Sequence, residues 1–220
     1  MALVFTGDEF ADGGDAIADA LKQHGVKASF FFTGRFYRNK AFKRTLNLLQ
    51  GDGHYLGAHS DAHLLYNDWT NRDSLLVTHQ QFKTDLQKNY DEMQKLGIRK
   101  RDAPYFLPPY EWYNDTIAAW TKEEGLQLIN MTPGTLSHAD YTTPDAKAYR
   151  SSETIYNSIV EYEKKNKNGL NGFILLLHIG TNSKRTDKLY HRLPQLLSYL
   201  KQNGYEPVRI DELLMQIKEY

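Results

Sequence analysis

The feature of this sequence that most limits its fold is the alternation of short apolar runs with longer amphipathic stretches. Short apolar runs between turn residues are typical of buried strands, and apolar positions three or four residues apart are typical of helices. The predicted strands are Ala2–Phe5, Ala28–Phe32, His54–Ala58, Tyr105–Leu107, Leu126–Ile129, Phe173–Leu177 and Glu206–Ile210. The predicted helices are Asp15–Gln23, Phe42–Gln50, Leu76–Leu96, Thr116–Glu124, Glu153–Lys164 and Tyr190–Gln202.

This alternation predicts an α/β fold with a parallel sheet, either a barrel or an open doubly wound sheet, because helical crossovers return each strand parallel to the last. Phe173–Leu177 is apolar without alternation, as a parallel strand covered on both faces requires. Glycines that can adopt a positive φ follow several predicted helices, at Gly25, Gly53, Gly97, Gly125 and Gly204. Without a linker or repeat to divide the chain, we expect residues 1–220 to form a single domain.

Composition excludes several classes of protein. Lys and Arg number 27, as do Asp and Glu, so no net charge draws the chain to nucleic acid or an anionic membrane. No apolar run approaches the roughly 20 residues of a membrane span. With no cysteine, any metal site must use histidines and carboxylates. The apolar run Leu3–Phe5 is too short for a signal-peptide core, so we expect any export signal to lie upstream.

Polar residues directly after the predicted strands are the candidates for chemistry, because loops at the carboxyl ends of parallel strands converge. Asp8 and Glu9 follow the first strand and repel each other unless a cation or shared proton intervenes; alternatively they cap the next helix. Asp12, in the same loop, is expected to be a helix cap. His59 and His63 follow the third strand, and on one helical turn they present two imidazoles to one metal ion; alternatively they are surface histidines.

Two later loops carry further candidates. Pro108 and Pro109 fix an extended turn that leads to aromatic residues, which either wall a groove or pack internally. His178 ends the buried strand and is the best general acid or base, because imidazole titrates near neutral pH. Asp140 is the nearest carboxylate in the sequence pattern to keep it protonated; alternatively His178 is a buried neutral histidine.

Taken in order, these segments resemble the motif series of the polysaccharide deacetylases, the NodB-homology domains of carbohydrate esterase family 4. The matching segments are Thr6–Phe10, Lys27–Phe31, Gly53–Gly57, His59–His63, Leu107–Tyr110, Asp140–Tyr141 and Leu175–His178. The resemblance covers nearly the whole chain. It implies a distorted (β/α) barrel with seven or eight strands, and a metal-dependent deacetylase acting on N- or O-acetylated sugars outside the cytoplasm.

The resemblance also implies roles for individual residues. It implies that a divalent metal, with zinc expected first and cobalt, nickel or manganese as alternatives, is bound by Glu9, His59 and His63. Asp8 would be the general base, and the backbone N–H of Tyr110 would face the developing oxyanion. His178 would protonate the leaving amine or alcohol, with Asp140 tuning it.

The sequence departs from the family pattern at several of these positions. Glu9 stands where the family has aspartate, so Asp8 could instead bind the metal and leave Glu9 as the base. Leu107 replaces the arginine that pairs with the base, and Tyr141 replaces a tryptophan. These changes indicate a divergent subfamily with an altered substrate or a weakened enzyme.

Two other functions compete with deacetylation. One is an iron-dependent oxygenase, because His59, Asp61 and His178 match the sequence pattern of its facial triad of ligands. Such oxygenases have a jelly-roll fold, however, which disagrees with the alternating strands and helices predicted here. A catalytically weakened carbohydrate-binding module would grip glycans with the aromatic residues of Tyr66–Trp69 and Tyr110–Tyr113, because sugar rings stack on Tyr and Trp faces.

Overall fold

The computed structural model describes residues 1–218, and of residues 216–218 the backbone alone. The chain divides into two compact units. The first unit comprises residues 1–30, 44–55 and those from 131 onward, and the second comprises residues 31–43 and 56–130. The single domain expected over residues 1–220 stays a prediction.

Six strands form one sheet in the order β5-β4-β3-β2-β1-β6. The strands are β1 (Ala2–Gly7), β2 (Ser29–Phe32), β3 (Tyr55–Ala58), β4 (Tyr105–Phe106), β5 (Gln127–Leu128) and β6 (Ile174–His178). The pairs β1–β6, β3–β4 and β4–β5 are parallel. The predicted α/β fold with a parallel sheet is thereby confirmed.

The seventh predicted strand, Glu206–Ile210, is wrong. In the described part of the chain, Val208 forms only an isolated bridge with Ala2, and a helix begins at Ile210. The backbone N–H of Ile210 donates to Ser29 Oγ, and Asp211 and Glu212 lie in the first helical turn, where carboxylates are favourable. The apolar residues Val208 and Ile210 therefore belong to an isolated bridge and to the start of a helix. The described sheet has six strands rather than the expected seven or eight.

Eight α-helices are described, of which two were not predicted. They are α1 (Gly14–His24), α2 (Gly34–Arg38), α3 (Lys43–Gly51), α4 (His79–Lys95), α5 (Asp115–Glu123), α6 (Ser152–Lys165), α7 (Leu193–Gln202) and α8 (Ile210–Lys218). The unpredicted ones are α2, which is short, and α8. All five glycines expected after helices have φ between 67° and 79°. Within residues 1–218, every helix is too short or too polar to cross a membrane.

Each unit has its own aromatic and aliphatic core. In the first unit the rings of Phe5 and Phe30 stack with centroids 5.0 Å apart, beside the fully buried Leu175 and Leu176 of β6. In the second unit the rings of Phe32 and Phe36 stack at 4.0 Å. These cores hold the strand ends from which the candidate residues project.

Candidate active site

At the carboxyl end of β6, the imidazole of His178 contacts a buried carboxylate. Asp140 lies in the short 3-10 helix Ser137–Tyr141 and is only 3% exposed. One of its oxygens accepts the backbone N–H of His178 at 2.9 Å, and the other lies 2.6 Å from His178 Nδ1. These two contacts fix the ring's orientation, and the carboxylate's charge favours the protonated imidazole. The structure therefore brings His178 and Asp140 together, and the ring of Tyr141 lies tilted against the imidazole at a centroid distance of 5.1 Å.

A buried arginine holds the segment that follows Asp140. Arg185 is fully buried, and its guanidinium donates to the carbonyls of Thr142 at 2.7 Å and Arg150 at 3.0 Å. The Thr142 hydroxyl in turn donates to the Ala139 carbonyl at 2.6 Å, which closes the turn that carries Asp140. Sequence reasoning missed Arg185, because nothing around it in the sequence distinguishes a buried arginine from an exposed one.

A second imidazole lies near this pair. Burial lowers the pKa of His138, the nearby Asp140 opposes that shift, and His178 adds to it. Near neutral pH His138 is therefore neutral, and its Nδ1 is buried without a hydrogen-bond partner. Of the two histidines, only His178 has the ring contact with Asp140 that suits a proton donor.

An apolar pocket opens beside His178 and Asp140. Its walls include Leu177, Leu189 and Leu196. Such a pocket suits a small apolar group, because burying a methyl against these side chains removes it from water.

The loop after β1 carries Asp8, which is half-buried, and Glu9, which is exposed. Asp12 in the same loop is not the expected helix cap, since Gly13 occupies the N-cap of α1 without a side-chain hydrogen bond. Asp12 instead accepts the backbone N–H of Thr181 at 2.8 Å and pairs with Lys188 at 2.8 Å. Burial raises the pKa of Asp12, but hydrogen bonds from Lys188 and Thr181 outweigh it and leave that pKa below its usual value. Asp12 thus ties the loop after β1 to the loop after β6.

In the second unit, His59 and His63 lie close together, although not on the predicted helical turn. The segment after β3 is a loop in which Ser60 and His63 have φ of 68° and 54°. The Ser60 hydroxyl accepts the backbone N–H of His63 at 2.8 Å. This turn leaves the two imidazole centroids 5.0 Å apart. The predicted helical turn is wrong, but the two imidazole rings do lie side by side.

Two polar side chains of α4 hold this loop in place. Asn89 accepts the backbone N–H of His59 at 2.9 Å. Asp85 accepts the backbone N–H of Ala62 at 3.0 Å and the hydroxyl of Tyr66 at 2.9 Å. Both residues are buried, and their spacing of four places them on one face of the helix. Sequence reasoning missed them; two polar residues on the apolar face of α4 were the signal that could have found them.

The ring of His59 is oriented by a backbone carbonyl. Its Nδ1 lies 2.7 Å from the carbonyl oxygen of Leu107. A carbonyl only accepts, so Nδ1 carries a proton, and in the neutral ring this selects the tautomer whose lone pair on Nε2 can bind a metal. Leu107, which replaces the expected arginine, is fully buried and contributes its main chain here.

The turn after β4 places Tyr110 next to His63. Tyr110 and Glu111 have φ of 60° and 54°, a left-handed conformation that is strained for such residues. The ring of Tyr110 lies 4.4 Å from that of His63 and is 44% exposed. The backbone hydrogen bonds of the turn come from Glu111 and Trp112 rather than from Tyr110.

Two of the three predicted metal ligands are thus shown to lie together. Among residues 1–218 no His, Asp and Glu side chains form a group of three or more that could hold a metal ion. The imidazole of His59, held through Nδ1 and lying beside that of His63, fits a divalent metal, and the full set of Glu9, His59 and His63 stays a prediction. The carboxylate of Asp61 forms an ion pair with Arg38, which disfavours the facial-triad alternative.

Comparisons with known proteins agree with these motifs. Residues 4–129 match the family model for polysaccharide deacetylase. The peptidoglycan-N-acetylmuramic acid deacetylase PdaA of Bacillus subtilis is 24% identical over 200 residues, which span 91% of this chain and 65% of that protein. The chain therefore covers slightly less than two thirds of this relative's length.

Solved structures share the fold. A family 4 acetyl xylan esterase from Clostridium thermocellum, in complex with a cobalt ion, has a TM-score of 0.73 and 20% identity, covering 98% of this chain and 90% of that one. A family 4 pseudoenzyme from Bacillus anthracis has a TM-score of 0.71 and 21% identity, covering 97% of this chain and 64% of that one. This likeness confirms the predicted distorted (β/α) barrel as the fold class. Because the family model matches more than half of its length, the chain belongs to the polysaccharide deacetylase family.

Proposed function

We propose that this protein is a metal-dependent hydrolase that removes acetyl groups from a polysaccharide or oligosaccharide outside the cytoplasm. The observation that carries the proposal is the imidazole of His178, oriented by Asp140 beside an apolar pocket at the end of a buried strand. Family membership supplies the reaction class. Acetyl hydrolysis needs a proton donor for the leaving group and a place for a methyl, and these features match both needs.

In the proposed reaction, a water oxygen bonds to the acetyl carbonyl carbon while the bond to the sugar nitrogen or oxygen breaks. Asp8 takes the proton from the attacking water. His178 gives its proton to the departing amine or alcohol, and Asp140 holds the imidazole in the orientation that allows this transfer. Leu177 and Leu196 enclose the acetyl methyl, and acetate is released.

The proposed metal ligands are His59, His63 and Glu9. When bound, a divalent cation polarises the acetyl carbonyl and activates water. His59 suits a ligand because its Nδ1 contacts the Leu107 carbonyl, which leaves Nε2 as the lone-pair nitrogen of the neutral ring. Zinc is the first candidate, and cobalt, nickel and manganese are the alternatives. In the alternative assignment, Asp8 binds the metal and Glu9 acts as the general base.

The backbone N–H of Tyr110 is the proposed donor to the developing oxyanion. The left-handed conformation of Tyr110 supports this role, because strained backbone is kept where a donor must point in a fixed direction. A donor of this kind is typically worth about 2.7–4 kcal/mol in the transition state.

The names of the similar proteins suggest two substrates to test. PdaA is a peptidoglycan deacetylase, and the Clostridium protein is an acetyl xylan esterase. N-acetylated peptidoglycan strands and O-acetylated xylan are therefore the first candidates. A peptidoglycan substrate requires that the protein act outside the cytoplasm.

Acetate release tests the proposal. Chelator-treated protein is assayed on peptidoglycan fragments, chitooligosaccharides and acetylated xylan, with and without zinc, cobalt, nickel or manganese. We expect acetate from at least one substrate with metal and a much slower rate without it. His178→Asn, whose amide nitrogen can take the place of Nδ1 beside Asp140, is the matched inactive control. Glycan binding without acetate from any substrate would contradict the hydrolase and favour the carbohydrate-binding module.

A further inference from the structure

Three aromatic side chains of the second unit lie together at the surface and are here called the aromatic platform: the exposed Trp69 and Tyr110 and the half-buried Trp112. The ring of Trp69 lies 5.5 Å from Tyr110 and 5.5 Å from Trp112, measured between centroids. Trp69 is 54% exposed, and Tyr110 is also exposed. An indole left half in water forgoes the stabilisation that burial would provide, so neighbouring exposed aromatics indicate a surface for a ligand.

The platform is held by hydrogen bonds between its two segments. Trp112 Nε1 donates to the carbonyl of Asp68 at 3.1 Å, and Arg72 Nε donates to the carbonyl of Tyr113 at 2.6 Å. Asn114 Nδ2 donates to the carbonyl of Arg72 at 3.0 Å. The Arg72 guanidinium also lies 4.2 Å from the centre of the Trp112 ring. These contacts hold the rings in place before a ligand arrives, which lowers the entropic cost of binding.

The platform continues directly into the predicted metal site. The ring of Tyr110 contacts both Trp69, at 5.5 Å, and His63, at 4.4 Å. A sugar ring is about as wide as this aromatic ring, and its axial C–H groups form an apolar face that stacks on aromatic rings. When the acetylated sugar of a glycan chain lies at the metal site, the neighbouring sugar therefore lies against the platform.

We propose that the aromatic platform binds the face of a pyranose ring adjacent to the acetylated sugar, with Trp69 as its main contact. This inference rests on the proposed function, because it places the reacting sugar beside His63. It makes the protein selective for oligomeric over monomeric acetylated sugars.

Tryptophan fluorescence tests the platform without requiring hydrolysis. The chain has three tryptophans, and the third, Trp120, stacks on His79 at 4.7 Å instead of joining the platform. Chelator-treated protein is titrated with chitohexaose and, separately, with unacetylated xylohexaose. We expect Trp120→Phe to keep the ligand-induced change and the affinity of the wild type. Trp69→Ala should weaken binding about tenfold or more, and Trp69→Phe should recover part of the loss.

A kinetic measurement separates failure of the platform from failure of the proposed function. In Trp69→Ala, the ratio of kcat/KM for an acetylated hexamer to that for the acetylated monomer should fall about tenfold, mainly through KM. Acetate release with an unchanged ratio, or wild-type affinity in Trp69→Ala, would overturn the platform alone. Binding that depends on Trp69, with no acetate from any substrate, would overturn the hydrolase and leave the platform standing.

Discussion

The two compact units each carry a histidine that is oriented through the same ring atom but by acceptors of different charge. In the first unit, Nδ1 of His178 lies 2.6 Å from the carboxylate of Asp140. In the second unit, Nδ1 of His59 lies 2.7 Å from the carbonyl of Leu107. A carboxylate favours the imidazolium more strongly than an uncharged carbonyl does, and in a neutral ring the carbonyl selects the tautomer with its lone pair on Nε2. The charge of the acceptor thus prepares one imidazole to donate a proton and the other to bind a metal.

The two histidines also differ in what fixes their main chain. His178 is part of β6, opposite Thr6 of β1 in the parallel register. His59 begins a loop, and Asn89 of α4 accepts its backbone N–H. The backbone N–H of His178 donates to Asp140, whereas that of His59 is shared between Asn89 and the Phe32 carbonyl of β2, so mutations should affect the two positions in different ways.

The largest expected effects come from removing each imidazole. His59→Ala should abolish metal binding, because it removes a proposed ligand. His178→Ala should keep the metal and lower kcat by roughly 10²–10⁴-fold, as loss of a general acid does. Elemental analysis and acetate release measure both quantities in both variants. Metal at wild-type level in His59→Ala, or unchanged turnover in His178→Ala, would break the comparison.

Replacing the charged acceptor is expected to have the next largest effect. Asp140→Asn keeps the side chain's size but removes the charge that favours protonated His178. On the alkaline side of the pH profile, activity that needs this proton should then be lost at a lower pH than in the wild type. The measurement is kcat against pH for wild type and variant, with circular dichroism as the folding control. If the alkaline limb of the kcat profile is the same in the variant and the wild type, Asp140 has a structural role and does not favour protonated His178.

The α4 contacts should control metal affinity by a smaller factor. Asn89→Ala removes one of the two acceptors of the His59 backbone N–H, the other being the Phe32 carbonyl, and the looser loop should bind zinc about 10–100-fold more weakly. Gln87→Ala, an exposed position on the same helix, is the matched control and should bind like the wild type. Isothermal titration with zinc reads the affinity directly. Equal affinities in the two variants would remove Asn89 from the account.

A third histidine sharpens the comparison, because it is buried and neutral for structural reasons. His54 Nδ1 accepts the backbone N–H of Ala28, and burial, with a smaller effect of Lys27, lowers the pKa of His54 to about 4. The unfolded chain therefore takes up this proton at a higher pH than the folded one. The contribution of His54 to the free energy of unfolding is therefore complete above about pH 6.5. It falls by up to roughly 3 kcal/mol as the pH drops to 4. Urea unfolding at several pH values should show this loss in the wild type and a smaller one in His54→Gln.

The parts of the molecule that were predictable from sequence are those specified by local pattern. The apolar run before His178 identified β6, and glycine positions identified the helix ends, because strand burial and positive φ leave direct marks on residue type. The loop of His59 was not predictable, because its turn depends on Asn89, thirty residues away. The carbonyl of Leu107 was also invisible, since every residue has one and only the fold decides which atom it meets.

The central claim is that acceptor charge separates the roles of His178 and His59, and nitrogen-15 NMR of the imidazole rings tests it most directly. In chelator-treated protein, assigned with the two alanine variants, the Nε2 proton of His178 should persist to a higher pH than that of His59. Neutral His59 should carry its proton on Nδ1, and added zinc should shift the Nε2 resonance of His59 while leaving His178 in place. A proton on Nε2 of neutral His59, or a zinc-induced shift confined to His178, would contradict the account.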